Sequence, residues 1–394
     1  MIQASSSFSR ERHAPTAAQN ACRRALTKLG TTRADIAFVF STLHHTSSFE
    51  PLLKTVASLT GARHILGASG RGLMTEACEI ENGPGVAVLL INSDELEAVS
   101  FMAHNLQESS HRAGLEAAEQ VKTLSRDPSA LFLLADHYSF QSPLFFEGLE
   151  SLGGYVPVIG ATASDDGSTE KTYQFHDTRP AFDAAAGLAL AGPLRIETGL
   201  TQSCLPYGEP LKITRSRGHL IYELEGRPAY DIFLEHLSRI ESEDPEKACQ
   251  DVLLGLPLSS FQTRFAKPNY VVHNITEVNT KNGMISCTAP VEEGEFLTFA
   301  VRDAAYARQD MDTTLADLRS RIGDEKPAFG LYFNCVGRGK NLYGSQDQDI
   351  AMIRRAFPDM PLLGFFAYSE LAPVDFVNHI HHYSGVLSLA VPQL

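Results

Sequence analysis

The sequence has few basic residues and no cluster of them. Its 394 residues carry 33 lysines and arginines against 47 aspartates and glutamates, which gives a net charge of −14. No run of lysine and arginine is long enough to form a basic patch. Because an acidic chain repels phosphate groups, we expect neither nucleic acid nor an anionic membrane surface as a partner.

Cysteines are few and scattered, and long apolar runs are missing. The six cysteines stand singly, without a C-x-x-C pair, which argues against a disulfide framework or a thiolate zinc site and fits a reducing cytosol. No apolar stretch approaches the roughly 18 residues of a membrane-spanning helix, and residues 1–14 lack the apolar core of a signal peptide. We therefore expect a cytoplasmic protein.

One pattern of apolar runs and helical stripes occurs three times along the chain. A buried strand near residues 36–40, 130–134 and 328–333 precedes an amphipathic helix, a second strand that ends at a glycine, and a third strand. These glycines are Gly67, Gly160 and Gly364. A strand–helix–strand crossover implies parallel pairing, whereas a third strand reached through a short loop fits antiparallel pairing. The pattern predicts an α/β fold of repeated strand–helix–strand–strand units, with mixed sheets backed by helices.

The segment from about residue 198 to 326 interrupts this pattern. Short strands surround the turn Asn282-Gly283, and Pro228 opens a further helix. We therefore predict two halves, residues 1–197 and residues 198–394. The acidic stretch at 241–247 is expected to be a surface loop.

Several of these segments resemble the FIST family. The segments similar to its N-terminal half are Ile65–Ser69, Pro84–Val88 and Val158–Ser164, and those similar to its C-terminal half are Tyr222–Ala229, Phe333–Gly339 and Pro361–Phe366 with Glu370. The resemblance extends from about residue 30 to residue 390. It implies that residues 1–197 form the FIST N-terminal domain and residues 198–394 the FIST C-terminal domain.

The resemblance implies an intracellular sensory module that binds a small ligand, such as an amino acid or a similar polar metabolite, in signal transduction. Family members in bacteria occur alone or beside signalling domains, some bind haem and sense nitric oxide, and animal members are fused to an F-box. Outside the two halves this chain has no room for an F-box or a kinase. We therefore expect the stand-alone bacterial type, with a separately encoded signalling protein such as a kinase or cyclase as its partner.

Polar residues concentrate at the predicted carboxyl ends of the strands. Ligands of parallel α/β sheets bind at these ends, and a small polar ligand needs apolar walls with a few fixed donors and acceptors. The predicted ligand-binding residues are Ser69, Gly70, Arg71, His137, Thr162, Ser164, Asp165, Cys335, Gly337, Arg338, Tyr368 and Glu370.

Five of these residues have stated roles. Arg338 and Arg71 would each clamp a ligand carboxylate with two parallel hydrogen bonds. Otherwise Arg338 would brace its turn against an acidic neighbour, and Arg71 would form a surface salt bridge. Cys335 would be a reactive thiolate if Arg338 lowered its pKa, and is otherwise a buried, inert thiol. Gly70 and Gly337 belong to glycine turns that would let the backbone adopt positive φ and approach a ligand.

Histidines are densest at residues 378–382. On a strand, His379 and His381 share one face, where they would bind a metal or haem. No acidic or thiol ligand is spaced to complete a metal site, so we expect no cofactor. Two alternatives to ligand sensing stay open at this point: a haem-based nitric oxide sensor, and an enzyme that uses Cys335 as its nucleophile.

Overall fold

The structure is a computed structural model that describes residues 1–167, 169–238, 252–258, 267 and 269–393. The acidic stretch at 241–247, predicted to be a surface loop, lies outside the described residues. The chain forms two compact units. The first comprises Met1–Thr201, Met311–Ile380 and Ser384–Leu394, and the second comprises Gln202–Asp310 and His381–Tyr383.

The described secondary structure alternates helices with many short strands. In chain order the helices are α1 (Ala14–Leu29), α2 (Phe49–Thr60), α3 (Leu106–Val121), α4 (Ser142–Gly153), α5 (Ala229–Leu237), α6 (Ala304–Ile322), α7 (Lys340–Tyr343) and α8 (Gln348–Ala356), with a 3-10 helix at Leu43–Ser48. The first strands are β1 (Gln3–Ser9), β2 (Ile36–Thr42), β3 (His64–Gly70), β4 (Leu73–Thr75), β5 (Glu79–Ile80), β6 (Val86–Asn92), β7 (Glu97–His104), β8 (Ala130–Ala135), β9 (Val158–Thr162), β10 (Gln174–His176), β11 (Arg179–Ala181), β12 (Ala184–Ala191) and β13 (Leu194–Gln202). The later strands are β14 (Cys204–Arg217), β15 (Leu220–Leu224), β16 (Arg227–Pro228), β17 (Val252–Pro257), β18 (Tyr270–Asn279), β19 (Met284–Cys287), β20 (Phe296–Arg302), β21 (Phe329–Cys335), β22 (Leu362–Ala367), β23 (Ser369–Val374), β24 (Val377–His381) and β25 (Ser384–Pro392).

Each sequence repeat contributes the central strands of one six-stranded sheet in the first unit. The strand orders are β1-β6-β2-β3-β10-β11, β7-β12-β8-β9-β23-β24 and β13-β25-β21-β22-β4-β5. In all three sheets the first and second strands of the repeat are parallel, and the third strand is antiparallel to the first. The predicted α/β fold with mixed sheets backed by helices is therefore confirmed.

The last two strands of every sheet come from a different repeat. The hairpin β10–β11 of the second repeat pairs with β3, the hairpin β23–β24 of the third pairs with β9, and the hairpin β4–β5 of the first pairs with β22. This exchange is cyclic. The three repeats therefore occupy equivalent positions in the first unit, which the sequence pattern alone did not reveal.

Both faces of each sheet are buried, which explains the continuous apolar runs. Phe38, Phe132 and Phe333 lie in one central core to which all three sheets contribute. Alternate residues on the same strands, such as Val39 and Leu133, face the helices instead. Side chains of successive strand residues point to opposite faces, so a strand buried on both sides must be apolar throughout.

The three equivalent glycines allow the parallel strands to approach closely. Gly67, Gly160 and Gly364 lie opposite the first strand of their own repeat. A Cβ at these positions would lie 1.9, 1.8 and 2.1 Å, respectively, from a carbonyl oxygen of the neighbouring strand. No real Cβ tolerates such a contact. Packing between strands therefore explains why each second strand carries a glycine here.

The second unit is a seven-stranded sheet in the order β14-β20-β17-β18-β19-β15-β16, with α5 packed in its core. β13 is an edge strand of the third sheet and α6 packs against that sheet, so we count both as part of the third repeat. In the chain the second unit follows β13 and ends within α6, and it therefore interrupts this extended third repeat. The two compact units are therefore not separated at a single point in the chain. The boundary between residues 197 and 198, which was predicted to divide the two family domains, stays a prediction. Among the described helices, none is long and apolar enough to cross a membrane.

Candidate functional site

The first strands of the three repeats end in equivalent residues. Each equivalent glycine pairs with a residue on the first strand of its repeat. The residues three positions after these partners are Thr42, Asp136 and Cys335. These side chains are all buried. Each lies two residues beyond a central-core residue of its strand, and the alternation of strand side chains therefore directs it to the same face.

The exchanged hairpins add three further equivalent residues. Leu73, Gln174 and Glu370 each pair with a central-core residue of the sheet that their hairpin joins. Directly opposed residues on paired strands share a face of the sheet, so these three side chains also point toward the central core. We name the six residues the strand-end ring: Thr42, Leu73, Asp136, Gln174, Cys335 and Glu370.

Glu370 joins two sheets within this ring. Its Oε2 accepts hydrogen bonds from the backbone N–H and the hydroxyl of Ser384, at the start of β25. Ser384 precedes Gly385, which pairs with Asn334 on β21. Burial raises the pKa of Glu370 well above its usual range, although the Ser384 hydrogen bonds oppose that shift. Burial thus favours the protonated form of Glu370, whereas a nearby positive charge, such as that of Arg338, favours its charged form.

Gln174 reaches the second sheet in the corresponding way. Its Nε2 donates to the Thr172 hydroxyl at 3.4 Å, and that hydroxyl donates to Asp136. Gln174 Oε1 and Glu370 Oε1 are both buried, and neither has a hydrogen-bond partner among the described residues. Leaving a buried polar atom unpaired costs about 1–3 kcal/mol. Buried polar atoms without a partner need an explanation, and a bound molecule or ion that supplies the partner is one such explanation.

A second cluster of polar side chains, which we name the rim cluster, consists of His137, Tyr138, Thr162, Asp165 and Tyr368. The hydroxyls of Tyr368 and Tyr138 donate to Asp165 Oδ1 at 2.6 and 3.1 Å. The His137 and Tyr368 rings lie 4.4 Å apart between centroids. His137 Nδ1 is 3.3 Å from the Thr162 hydroxyl. The cluster therefore combines residues of the second and third repeats.

The rim cluster holds a carboxylate beside a neutral imidazole. Burial alone would raise the pKa of Asp165, but hydrogen bonds from Tyr368, Gly167 and Tyr138 outweigh it and leave that pKa lowered. Burial lowers the pKa of His137, against the attraction of neighbouring carboxylates. Tyr138 is 46% exposed, whereas Asp165 is fully buried. The cluster therefore offers fixed acceptors behind an accessible aromatic ring.

The contacts of Arg338 agree with the alternative that its side chain braces the turn against an acidic neighbour. Its side chain is completely buried, and Nε and Nη2 donate to the two oxygens of Asp349 at 3.1 and 3.0 Å. Nη2 also donates to the Tyr343 hydroxyl at 2.8 Å. Two of the three guanidinium nitrogens are thus engaged by side chains of α7 and α8. The role of Arg338 as a ligand clamp stays a prediction and is not part of the proposal below.

Cys335 lies at the end of its strand with sulfur close to backbone groups. Its Sγ accepts a hydrogen bond from the Gly337 N–H at 3.4 Å and is 4.0 Å from the Tyr368 carbonyl oxygen. The side chain is 4% exposed. These contacts fit the buried-thiol alternative, and its reactivity stays a prediction.

The two predicted serines link strand ends. Ser69 Oγ accepts a hydrogen bond from the Tyr173 N–H at 3.0 Å. Ser164 Oγ accepts one from the Arg71 N–H at 2.9 Å and donates to a carbonyl oxygen of β22. The Arg71 side chain is exposed. Both serines therefore have structural hydrogen bonds in addition to their predicted site role.

The prediction of a glycine turn with positive φ is wrong for residues 67–70 and correct for residues 337–339. Gly70 lies inside β3 rather than in a turn, and neither Gly70 nor Gly337 has positive φ. In the turn after β21 the left-handed residue is Gly339, with φ of +57°. Strand pairing continues to Gly70, opposite Thr42, and pairing keeps the backbone extended.

The histidines on β24 do not form a recognisable metal site. His381 is buried, and His379 is half-buried with its pKa lowered by burial. Within the described part of the chain, no three His, Cys, Asp or Glu side chains are grouped so that they could hold a metal ion. Haem binding by His379 or His381 stays an untested alternative.

The structure gathers His137, Thr162, Asp165 and Tyr368 into the rim cluster, and their role in ligand binding stays a prediction. The Arg338 side chain forms an ion pair with Asp349, and the Arg71 side chain is exposed to solvent. Gln174 was missed because it lies on a hairpin that joins a sheet of another repeat. The cyclic exchange that brings it there has no signal in the spacing of apolar residues.

Comparison with known proteins places the chain in a family. The FIST N domain model matches residues 35–227, and the FIST C domain model matches residues 229–373. An uncharacterised protein of Mycobacterium tuberculosis is 27% identical over 378 residues, which cover 95% of this chain and 96% of that protein. An uncharacterised protein of Mycobacterium bovis is 26% identical over 378 residues, covering 96% of each chain.

Solved structures give only a distant likeness. A cyanuric acid hydrolase from A. caulinodans has a TM-score of 0.39 and 8% identity, covering 100% of this chain and 99% of that one. A chorismatase has a TM-score of 0.33 and 7% identity, covering 99% of each chain. Scores this low support no conclusion about activity. The two domain models, which together span most of the sequence, establish that the chain belongs to the FIST family, whose domains are generally described as small-ligand sensory domains in signal transduction.

Proposed function

We propose that this FIST protein senses a small polar ligand with an amino group, such as an amino acid, and binds it at the strand-end ring without turning it over. The observation that carries the proposal is the pair of buried, unpaired oxygens, Gln174 Oε1 and Glu370 Oε1. An amino group carries several N–H donors, which are the kind of partner that these oxygens lack. A hydrogen bond to a charged group contributes about 1.5–3 kcal/mol.

The surroundings of these oxygens fit a small ligand with an apolar part. Leu73, at the equivalent position of the first repeat, belongs to the central core. The rim cluster supplies the Asp165 carboxylate and an exposed aromatic ring, Tyr138. Pockets that bind small metabolites combine apolar walls with a few fixed polar groups in this way.

Signal transmission requires a partner in this proposal. The strand-end ring takes residues from all three repeats, so a ligand held there stabilises one arrangement of the three sheets over others. Such a preference is all that a ligand needs to shift an equilibrium between conformations. We propose that a separately encoded kinase or cyclase responds to that shift.

Isothermal titration with the twenty common amino acids, and with ethylamine as a minimal amine, tests the site. We expect at least one amino acid to bind and to be recovered unchanged. Glu370→Gln and Gln174→Leu should each weaken that binding about 10- to 150-fold, which corresponds to 1.5–3 kcal/mol. Gln174→Leu introduces leucine, which is the residue that the first repeat has at the equivalent position, Leu73.

Glu50→Gln, on the exposed side of α2, is the matched control and should leave the affinity unchanged. If both ring variants bind as tightly as the wild type, the ligand lies elsewhere. A stoichiometric Soret band on the purified protein would replace the proposal by the haem alternative. Chemical conversion of the amino acid that depends on Cys335 would replace it by the enzyme alternative.

A further inference from the structure

A cavity that is lined by no residue of the strand-end ring lies between the edges of two sheets. Its volume is about 780 Å³. Its walls are residues 100–104 of β7, residues 178–181 around β11, and the Glu116–Gln120 side of α3. β7 and β11 are terminal strands, since each is paired on one side only in the described part of the chain. The cavity therefore lies between two strand edges.

The volume matches a short extended peptide. Neighbouring strands are about 4.8 Å apart and packed sheets about 10 Å apart, so one strand has a cross-section of roughly 48 Å². Dividing 780 Å³ by that area gives a length of roughly 16 Å, which is about five residues at 3.3 Å per residue. The stretch of β7 that lines the cavity, residues 100–104, has the same length.

Of the two edges, β7 is the better template for pairing. β11 contains Pro180, which has no N–H to donate. β7 contains no proline, and its antiparallel register with β12 is continuous from Glu97 to His104. Edge strands offer unpaired backbone groups to any added strand, and this mode of recognition gives affinity through the main chain.

The floor of the cavity is held in place by a serine between two histidines. Ser100 Oγ is 2.9 Å from His64 Nδ1 and 3.1 Å from His176 Nε2. Burial lowers the pKa of both histidines. They are therefore neutral at physiological pH and add no positive charge that would repel a basic segment.

The charge of the walls selects the kind of segment. Glu50, Glu116 and Glu119 line the cavity, whereas Arg179 is the one lysine or arginine among its lining residues in the described chain. Glu116 is also within 3.2 Å of Arg112, but that pair is exposed and contributes little. An added strand with lysine or arginine side chains directed at α3 complements this surface.

In the first repeat, the space that corresponds to this cavity lies between β1 and the hairpin β4–β5. Side chains span that space. Glu76, in the turn of that hairpin, accepts hydrogen bonds from Ser6 on β1 and from Lys28 on α1. The open cavity beside β7 is therefore not a general consequence of the exchanged hairpins.

We infer that β7 is the docking edge for an extended segment of a partner protein that adds to it as a strand and carries lysine or arginine side chains. This docking edge is independent of the ligand proposed above. It would give a sensory module a physical connection to another protein.

Fluorescence anisotropy with the labelled peptide acetyl-Lys-Val-Lys-Val-Lys-amide tests the inference on the intact protein. We expect saturable binding that weakens with salt and protection of the amides of residues 99–104 from hydrogen exchange. The double variant Glu116→Lys/Glu119→Lys should weaken binding at least about 10-fold, since 1.4 kcal/mol corresponds to that factor. Glu108→Lys, on the same helix but outside the cavity, should not.

Two further probes separate strand addition from simple charge attraction. The same peptide with N-methyl groups on alternate residues keeps its charge but loses main-chain donors, and should bind at least about 10-fold more weakly. Equal binding of the methylated peptide, or no effect of the double variant, would overturn the inference. So would a dimer in sedimentation that the peptide does not dissociate, because a second copy would then occupy the edge.

Discussion

Arg338 illustrates how a single buried charge dictates the conformation around it. It is the largest completely buried side chain, and its guanidinium holds Asp349 at the start of α8. Removing one partner of a buried ion pair leaves the other charge uncompensated and costs about 3–5 kcal/mol. We therefore expect Arg338→Ala and Arg338→Lys both to lower the melting temperature of the ligand-free protein. Arg71→Ala, at an exposed side chain, is the control, and an unchanged melt for both Arg338 variants would contradict the bracing role.

Glu79 should make stability depend on pH. Burial, with the nearby Asp349 charge, raises its pKa from 4.5 to about 8. The folded protein therefore binds more protons than the unfolded chain between these values, and stability falls as pH rises from about 4.5 through 8. Glu79→Gln should flatten this slope and stabilise the protein above pH 8, by urea unfolding at several pH values. Glu147→Gln is the exposed control, and an unaltered slope in Glu79→Gln would contradict the assignment.

At the level of elements, the equivalent glycines predict a sharp difference between substitutions. A Cβ at Gly160 would lie 1.8 Å from the Leu133 carbonyl oxygen, and neither backbone can yield without breaking the strand pair. Gly160→Ala should therefore cost more than about 3 kcal/mol, the upper end for ordinary overpacking. Gly30→Ala, at the left-handed end of α1 with open space around it, should cost about 1–2 kcal/mol. Chemical denaturation measures both, and similar costs would contradict the close-approach explanation.

The regular elements were predictable because one local property determines each of them. Continuous apolar runs identified β2, β8 and β21, and crossover length determined their parallel partners. The hairpins were not predictable, because β10 is three residues long and its partner β3 lies about a hundred residues earlier. The sequence also left open whether the Arg338 side chain binds a ligand or a structural partner. Its partner Asp349 comes close to it only after the chain has passed through α7. Short elements and long-range pairs carry little periodic signal.

At the level of the whole molecule, the repeats explain why equivalent side chains gather in the strand-end ring. Equivalent positions carry Thr42, Asp136 and Cys335 on the first strands, and Leu73, Gln174 and Glu370 on the hairpins. At the hairpin position the first repeat has the apolar Leu73, whereas the second and third repeats have the buried polar side chains of Gln174 and Glu370. Of these six residues, the sequence analysis named only Cys335 and Glu370 as site residues. Leu73 and Gln174 join the ring through the exchange of hairpins between repeats, which the sequence pattern did not reveal.

The position of the second unit in the chain yields the last prediction. It is inserted into the third repeat, and the residues at its entry and exit are adjacent: the Asp303 N–H donates to the Ser203 carbonyl oxygen at 3.0 Å. Two glycines therefore suffice to replace Cys204–Arg302. Because the three six-stranded sheets and their central core lie in the first unit, the shortened protein should unfold in one cooperative transition and keep its ligand affinity within about 3-fold, under 1 kcal/mol.

Circular dichroism during urea unfolding and titration of the same amino acid measure the two outcomes. The m-value should fall in proportion to the surface removed, because it scales with the area exposed on unfolding. A matched deletion within the first unit, which removes the hairpin β10–β11 and with it Gln174, should abolish cooperativity because β3 loses its neighbour. If removal of the insertion has the same effect, the first unit does not fold on its own. If cooperative unfolding survives but the amino acid no longer binds, residues of the insertion contribute to the ligand site, and the strand-end ring alone is insufficient to hold it.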